Sequence, residues 1–264
     1  MFQKKTPGTL KKSELPMTKV DENPKATMTF MEHLLELRKC LLRSSIGVLI
    51  ATLICLYWVP LIFEYLTKPI RENFGSLDII GTGPAEAFLI KLKTAFIGGL
   101  LSSSPNTFFH LWRFVAPGMY ENERKAAIPF VIISTVLFFL GTAFCFLIMF
   151  PFAFQYFYSE YQAMGIKPTI KVDEYMSFIV RLIFVFGVVF ELPIVCFFMA
   201  RLRLISHKWL IKNGRYSVIV VFIVAAILTP PDVISQILLA IPLMVIYLLC
   251  ILIAWSFNPD RHKA

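Results

Sequence analysis

Twenty consecutive residues, Ser44 to Phe63 (SSIGVLIATLICLYWVPLIF), carry no charge. A stretch of about that length is what a helix needs to cross the roughly 30 Å hydrocarbon core of a bilayer. Five more apolar segments follow, near Thr94 to Leu111, Ala126 to Phe150, Phe178 to Met199, Tyr216 to Leu228 and Ile234 to Trp255. With 57% hydrophobic residues against 16% charged ones, such a chain belongs with polytopic membrane proteins and needs no water-soluble core. The segments predict an all-α fold with six transmembrane helices over residues 30–256, after a polar, disordered tail at 1–29 and before a short tail at 257–264.

Two segments depart from a plain span. The second is interrupted by Ser102, Ser103, Ser104, Pro105 and Asn106, so it is expected inside the bundle, where neighbouring helices can satisfy the backbone groups that a proline releases. The fifth has 13 residues, about 20 Å at 1.5 Å per residue, which is short of the core. Either the bilayer thins beside it or the segment is one arm of a re-entrant hairpin.

The charges orient the chain. Counting Lys and Arg with Lys91, Lys93 and Arg181 set aside as inside or beside segments, alternate connecting regions hold 19 against 4, and the positive-inside bias then places both termini in the cytoplasm. The net charge of +9 has no aromatic-interleaved basic face to suit nucleic acid, and none is expected as a partner. The outward loops, Glu64 to Ala87 and Pro151 to Met176, are expected to fold against the membrane face. The second brings an interfacial aromatic cluster around Tyr156, Phe157, Tyr158 and Tyr161. Five cysteines (Cys40, Cys55, Cys145, Cys196, Cys250) show no metal-ligand or CxxC spacing and are expected to be free thiols. No acid dyad, Ser–His pair or HExxH site lies in the apolar segments, so neither a catalytic site nor a metal or other cofactor is expected.

Four carboxylate settings are informative. In HLLELRKCLLR, Glu36 and Arg38 are two residues apart and face different ways on a helix. A surface pair of Glu36 with Lys39 is the plain reading, and a Glu36 free to receive an outside cation is the functional one. In WRFVAPGMYENER, Pro117 and Gly118 end the second segment, and Glu121 and Glu123 precede the third, where compensation of a helix dipole would account for one acid more readily than two. Glu191 sits inside the fourth segment (FELP) at a cost of about 2.5–3.5 kcal/mol, beside Pro193, which should kink the helix. Either it is a protonated acid hydrogen-bonded within the bundle or it is functional. Lys91 and Lys93 can snorkel outward without a role. Finally, LTPPDVISQ places Pro230, Pro231 and an Asp232 able to cap the last helix in a tight turn.

Taken together, HLLELRKCLL (Glu36, Arg38), PAEAF (Pro84, Glu86, Phe88), WRFVAPGMYENER (Phe114, Pro117, Tyr120, Glu123, Arg124), FGVVFELP (Glu191, Pro193) and LTPPDVISQILLAIP (Pro230, Pro231, Asp232, Gln236) resemble the TatC family of the twin-arginine protein translocase. The motifs keep the family's order from about Phe30 to Ala254; the departures are a longer N-terminal tail and Met119 where Leu is usual. The resemblance implies a concave, glove-like bundle whose cytoplasmic face reads the paired arginines of signal peptides on folded cargo. Glu36, Arg38, Phe114, Glu123 and Arg124 would form that site, and Glu191 would line the membrane cavity. Pro230, Pro231, Asp232 and Gln236 would shape the turn and dock TatA-like and TatB-like single-span partners, while Pro84 and Glu86 would belong to the outer loop. It also implies assembly with other copies of the chain, contact with the lipid bilayer, and drive from the proton gradient, since no nucleotide-binding loop is present. A bacterial inner membrane is expected from the absence of a transit-peptide pattern in the acid-containing tail. An ion-coupled secondary transporter using Glu191 is the alternative, although no inverted repeat is found.

Overall fold

The computed structural model describes residues 30–74, 78–115, 127–229 and 232–257. Among the described residues five stretches are long and apolar enough to cross a membrane, and a sixth, Gly214–Leu228, is shorter. The chain is therefore an all-α polytopic membrane protein, with one small β element that the hydropathy did not announce.

The first helix, α1 (Phe30–Phe74), runs well past the uncharged twenty residues in both directions. At 45 residues it is about 68 Å long, so both ends project beyond the hydrocarbon. The strand β1 (Asp78–Ile80) follows, then α2 (Glu86–Val115). Both helices carry internal prolines, and in α2 the chain itself relieves the defect: Pro105 has no N–H to offer the carbonyl of Leu101, and the Ser104 hydroxyl donates to that oxygen at 2.8 Å. The expectation that neighbouring helices would do so is thereby corrected. Ser102 and Ser103 donate similarly to Gly98 and Leu100, and α2 has the most buried window of the five spans.

The third span is α3 (Ala127–Phe144), a π-helical turn at Cys145–Met149, and α4 (Phe150–Ala163). The Phe150 N–H reaches back to Cys145 O, widening the helix just before Pro151, whose missing donor would otherwise orphan a carbonyl. The helix thus absorbs the first half of the second expected outer loop. Strand β2 (Thr169–Lys171) leads into α5 (Val172–Val189). It pairs in parallel with β1, Asp78 opposite Thr169 and Ile80 opposite Lys171, so the two loops expected to face outward are joined.

Helix α5 is central. Tyr175, Met176, Ile179, Leu182, Ile183 and Phe186 are each at most 3% exposed, and their helical spacing gives α5 one wholly buried face. That face packs with Leu66 and Ile70 of α1, Ile90 and Ile97 of α2, and Cys145 and Met149 of the π turn. The Tyr175 hydroxyl donates to the Leu66 carbonyl at 2.7 Å. After the turn at Phe190 and Glu191 come α6 (Leu192–Arg201), with Pro193 in its first turn, and α7 (His207–Lys212), a short helix between the fourth and fifth apolar segments. The last two helices, α8 (Gly214–Leu228) and α9 (Val233–Ser256), form a hairpin. All five cysteines are free.

Candidate functional site

Helices α1 and α2 are antiparallel and touch almost backbone to backbone. A Cβ on Gly99 would lie 2.6 Å from the Thr52 backbone, and one on Gly47 would lie 2.3 Å from the Asn106 amide. Small residues at such crossings are how helices gain close packing in lipid, where no hydrophobic force draws them together. The pairs 47 with 106 and 52 with 99 fix the register. Extended toward the start of α1, that register sets Phe114 level with Lys39 and brings Glu36 to the height where the chain leaves α2.

Of the residues expected to recognise a cationic ligand, Glu36 is half-buried, Arg38 is exposed and Phe114 is half-buried. Among the described residues Glu36 has no ion-pair partner, so the plain pairing with Lys39 is not formed. Glu123 and Arg124 lie outside the described residues, as do Pro230 and Pro231. A carboxylate is acceptor-only and, unpaired on a helix rich in cations, presents its oxygens to whatever cation arrives.

A second polar group lies within the helices. The chain from α5 to α6 breaks at Phe190 and Glu191, where the Glu191 N–H bonds to Val188 O at 3.1 Å. The kink expected from Pro193 is present. Two glycines let α3 cross α5 here: a Cβ on Gly141 would meet Phe186 O at 2.6 Å, and one on Gly187 the Phe138 ring at 2.5 Å. The Glu191 carboxyl stands within reach of the Ser134 hydroxyl on α3, while its Oε1 is buried with no hydrogen-bond partner. Ser134, wholly buried, accepts at 2.8 Å from the indole N–H of Trp112 on α2. Trp112, Ser134 and Glu191 therefore form a polar chain linking three spans, held in an aromatic cluster with Phe108, Phe138 and Phe198.

At the end of the bundle where α1 finishes, the structure reveals what sequence spacing did not. Glu86, at the start of α2, accepts from the Thr82 N–H, from the Gly83 N–H at 3.0 Å, and through Oε1 from the Asp173 N–H at 3.1 Å. The first two bonds resemble a capping box, readable from an acid three residues after a turn. The third joins α2 to α5 across 87 positions. Lys93 meets Asp173 at 2.5 Å and Ser177 at 2.8 Å, so it is not the idle snorkelling lysine expected. Pro84 lies in the turn just before α2. At the α8–α9 hairpin Asp232 caps α9 through the Ser235 N–H at 2.7 Å, as expected, and the Gln236 amide donates to Phe222 O at 3.0 Å. Gln236 thus ties α8 to α9.

Residues 32–242 match the family described as Sec-independent protein translocase protein (TatC). Two relatives of that name are similar along most of their lengths. One from Desulforapulum autotrophicum is 39% identical over 89% of this chain and 87% of its own; one from Helicobacter pylori is 40% identical over 86% and 87%. Among solved structures, a crystal structure of the twin arginine translocase receptor TatC superposes with a TM-score of 0.79 at 33% identity. It is matched over 84% of this chain and 98% of that one.

Proposed function

Because the chain belongs to the TatC family of Sec-independent protein translocase proteins, we propose that it is the receptor subunit of a twin-arginine translocation system. In this reading it binds twin-arginine signal peptides of folded proteins and nucleates a translocase driven by the proton gradient. The observation that carries the reading is the half-buried Glu36 without an ion-pair partner among the described residues, at the height where α2 ends and the sequence runs on toward Glu123 and Arg124.

Two carboxylates, Glu36 and Glu123, would each take one guanidinium through parallel charge-assisted hydrogen bonds, a fork that a lysine ammonium cannot match. Arg38 and Arg124 beside them would repel generally polybasic segments, and Phe114 would pack against the peptide's apolar part. Glu191, half-buried at the break between α5 and α6, would meet the inserted signal peptide or a partner helix in the membrane cavity. The exposed apolar faces of α8 and α9, tied together by Gln236 on Phe222 O and with α9 capped by Asp232, suit single-span TatA-like and TatB-like partners, and further copies of the chain complete the assembly. The site belongs in the cytoplasm, with both termini, at a bacterial inner membrane; the positive-inside bias supports this orientation. The transporter reading has no support from the relatives reported above, which are translocase proteins.

The test is photocrosslinking of a twin-arginine signal peptide, and of its lysine–lysine counterpart, to probes beside Glu36 and Glu123. The arginine peptide should crosslink strongly, the lysine peptide weakly, and Glu36→Gln or Glu123→Gln should abolish the signal. Equal crosslinking in all cases would remove the carboxylates from recognition.

A further inference from the structure

A groove of about 410 Å³ opens on the lipid-facing side between α1 and α2. Its α1 wall is Ile46, Ile50 and Ile54, each more than half exposed. Its α2 wall is polar, with Ser103, Asn106 and His110 spaced three and four residues apart on one helix face. At one end Arg43 stands level with His110 in the register set by Gly47 and Asn106. Among the described residues Arg43 has no ion-pair partner. Lys39, one turn before it, and Arg113, one turn beyond His110, are exposed as well.

From this arrangement we infer that the groove holds an anionic phospholipid of the leaflet nearest the start of α1, its phosphate on Arg43, His110 and Asn106 and one acyl chain along the isoleucines. The length fits the occupant. Arg43 to Ile54 spans eleven residues, about 16 Å, close to half of the roughly 30 Å hydrocarbon core and so the reach of one acyl chain from a headgroup at Arg43. A hydrocarbon chain can lie along the exposed row of Ile46, Ile50 and Ile54. The chemistry selects the headgroup. A guanidinium pairs with a phosphate through two charge-assisted hydrogen bonds, and the Asn106 amide and an imidazole N–H add donors beside it. The surrounding cations draw an anionic headgroup over a neutral one.

The experiment uses the full chain in phosphatidylcholine nanodiscs doped with phosphatidylglycerol carrying a photoactivatable acyl chain, or with phosphatidylcholine carrying the same group. Crosslinked peptides are mapped by mass spectrometry. The glycerol lipid should label Ile46 to Ile54 and Ser103 to His110 well above the choline lipid. Arg43→Gln should lower that labelling about fivefold, the effect of one cation near an anionic headgroup, and Arg43→Lys should restore most of it. Ala51→Phe, which fills the groove and changes no charge, should remove groove labelling while Leu49 and Leu53, on the open face of α1, stay labelled; that unchanged labelling separates a filled groove from a misfolded chain. Equal labelling by both lipids, or labelling insensitive to Arg43→Gln or Ala51→Phe, overturns the site. So does displacement of the lipid from these residues by an added single-span helix.

Discussion

Ser134 holds two groups that have no other use for it. Its oxygen accepts from Trp112, and its hydroxyl is within reach of Glu191. Deleting the hydroxyl leaves an indole donor facing aromatic rings and a carboxyl without its neighbour. Interhelical hydrogen bonds in membrane proteins are worth about 0.6 kcal/mol on average and up to about 1.7, and the enclosure of Ser134 argues for the upper part of that range. Ser134→Ala should therefore lower stability by about 1–2 kcal/mol in detergent-mediated unfolding. Trp112→Phe removes the donor that would be stranded, so adding Ser134→Ala to it should cost much less than Ser134→Ala alone. Additive losses in the double-mutant cycle would show that the 2.8 Å contact contributes nothing. A separate residue-scale case is Glu86, whose acceptor-only carboxylate serves three backbone donors. Glu86→Gln keeps the shape but replaces one acceptor oxygen by a donor, so the thermal midpoint should fall, and Glu86→Ala should lower it further.

Glycines set how close the helices approach, and the same substitution should have opposite consequences at different elements. On α2, a methyl at Gly99 would run into the Thr52 backbone, which has no flexible end to move aside. Gly99→Ala should cost about 1–3 kcal/mol as overpacking and shift the α1–α2 crossing. Gly83, in the turn before α2, has nothing within 4 Å of the added carbon. Gly83→Ala should change stability by less than about 0.5 kcal/mol, and a similar loss at both positions would mean that helix contact is not what limits Gly99. Element by element, the sequence foretells what is local. Uninterrupted hydropathy marks the spans, Pro193 marks the break before α6, and Asp232 marks the start of α9, because each acts within a turn or two of itself. It does not foretell the β1–β2 pairing, Lys93 on Asp173, or Glu86 on the Asp173 N–H, since these join positions 80 or more residues apart and carry no periodicity. The end of α1 was missed for a different reason: Glu64, Lys68 and Arg71 end the apolar run, but a helix that leaves the bilayer need not stop there. For the candidate site, Glu36 and Glu191 stand out because acids are costly or conspicuous in apolar surroundings. Trp112 and Ser134 do not, being unremarkable residue types until the fold brings them together.

At the scale of the whole molecule, one end is braced and one edge is thin. The end of the bundle where α1 finishes is tied by strand pairing, by Glu86 and by Lys93, all meeting at the start of α5. The edge formed by α8 has only Ala225 and Leu228 buried, so lipid meets most of its surface. Its 15 residues span about 22 Å against a core of about 30 Å. A shortfall near 8 Å, at a few tenths of a kcal/mol per Å, amounts to roughly 2 kcal/mol of strain shared between protein and bilayer. The lipid should yield, because α8 is tied to α9 by the Gln236 amide on Phe222 O. Stability measured in bilayers of increasing acyl length should accordingly peak at chains shorter than those matching the long spans. Inserting four leucines after Val224 adds about 6 Å and should move the peak toward thicker bilayers. The same insertion in the middle of α9, whose 24 residues already span the core, should not. If the α8 insertion leaves the optimum where it was, the short helix does not set the local thickness, and thinning cannot be part of how this edge would admit cargo.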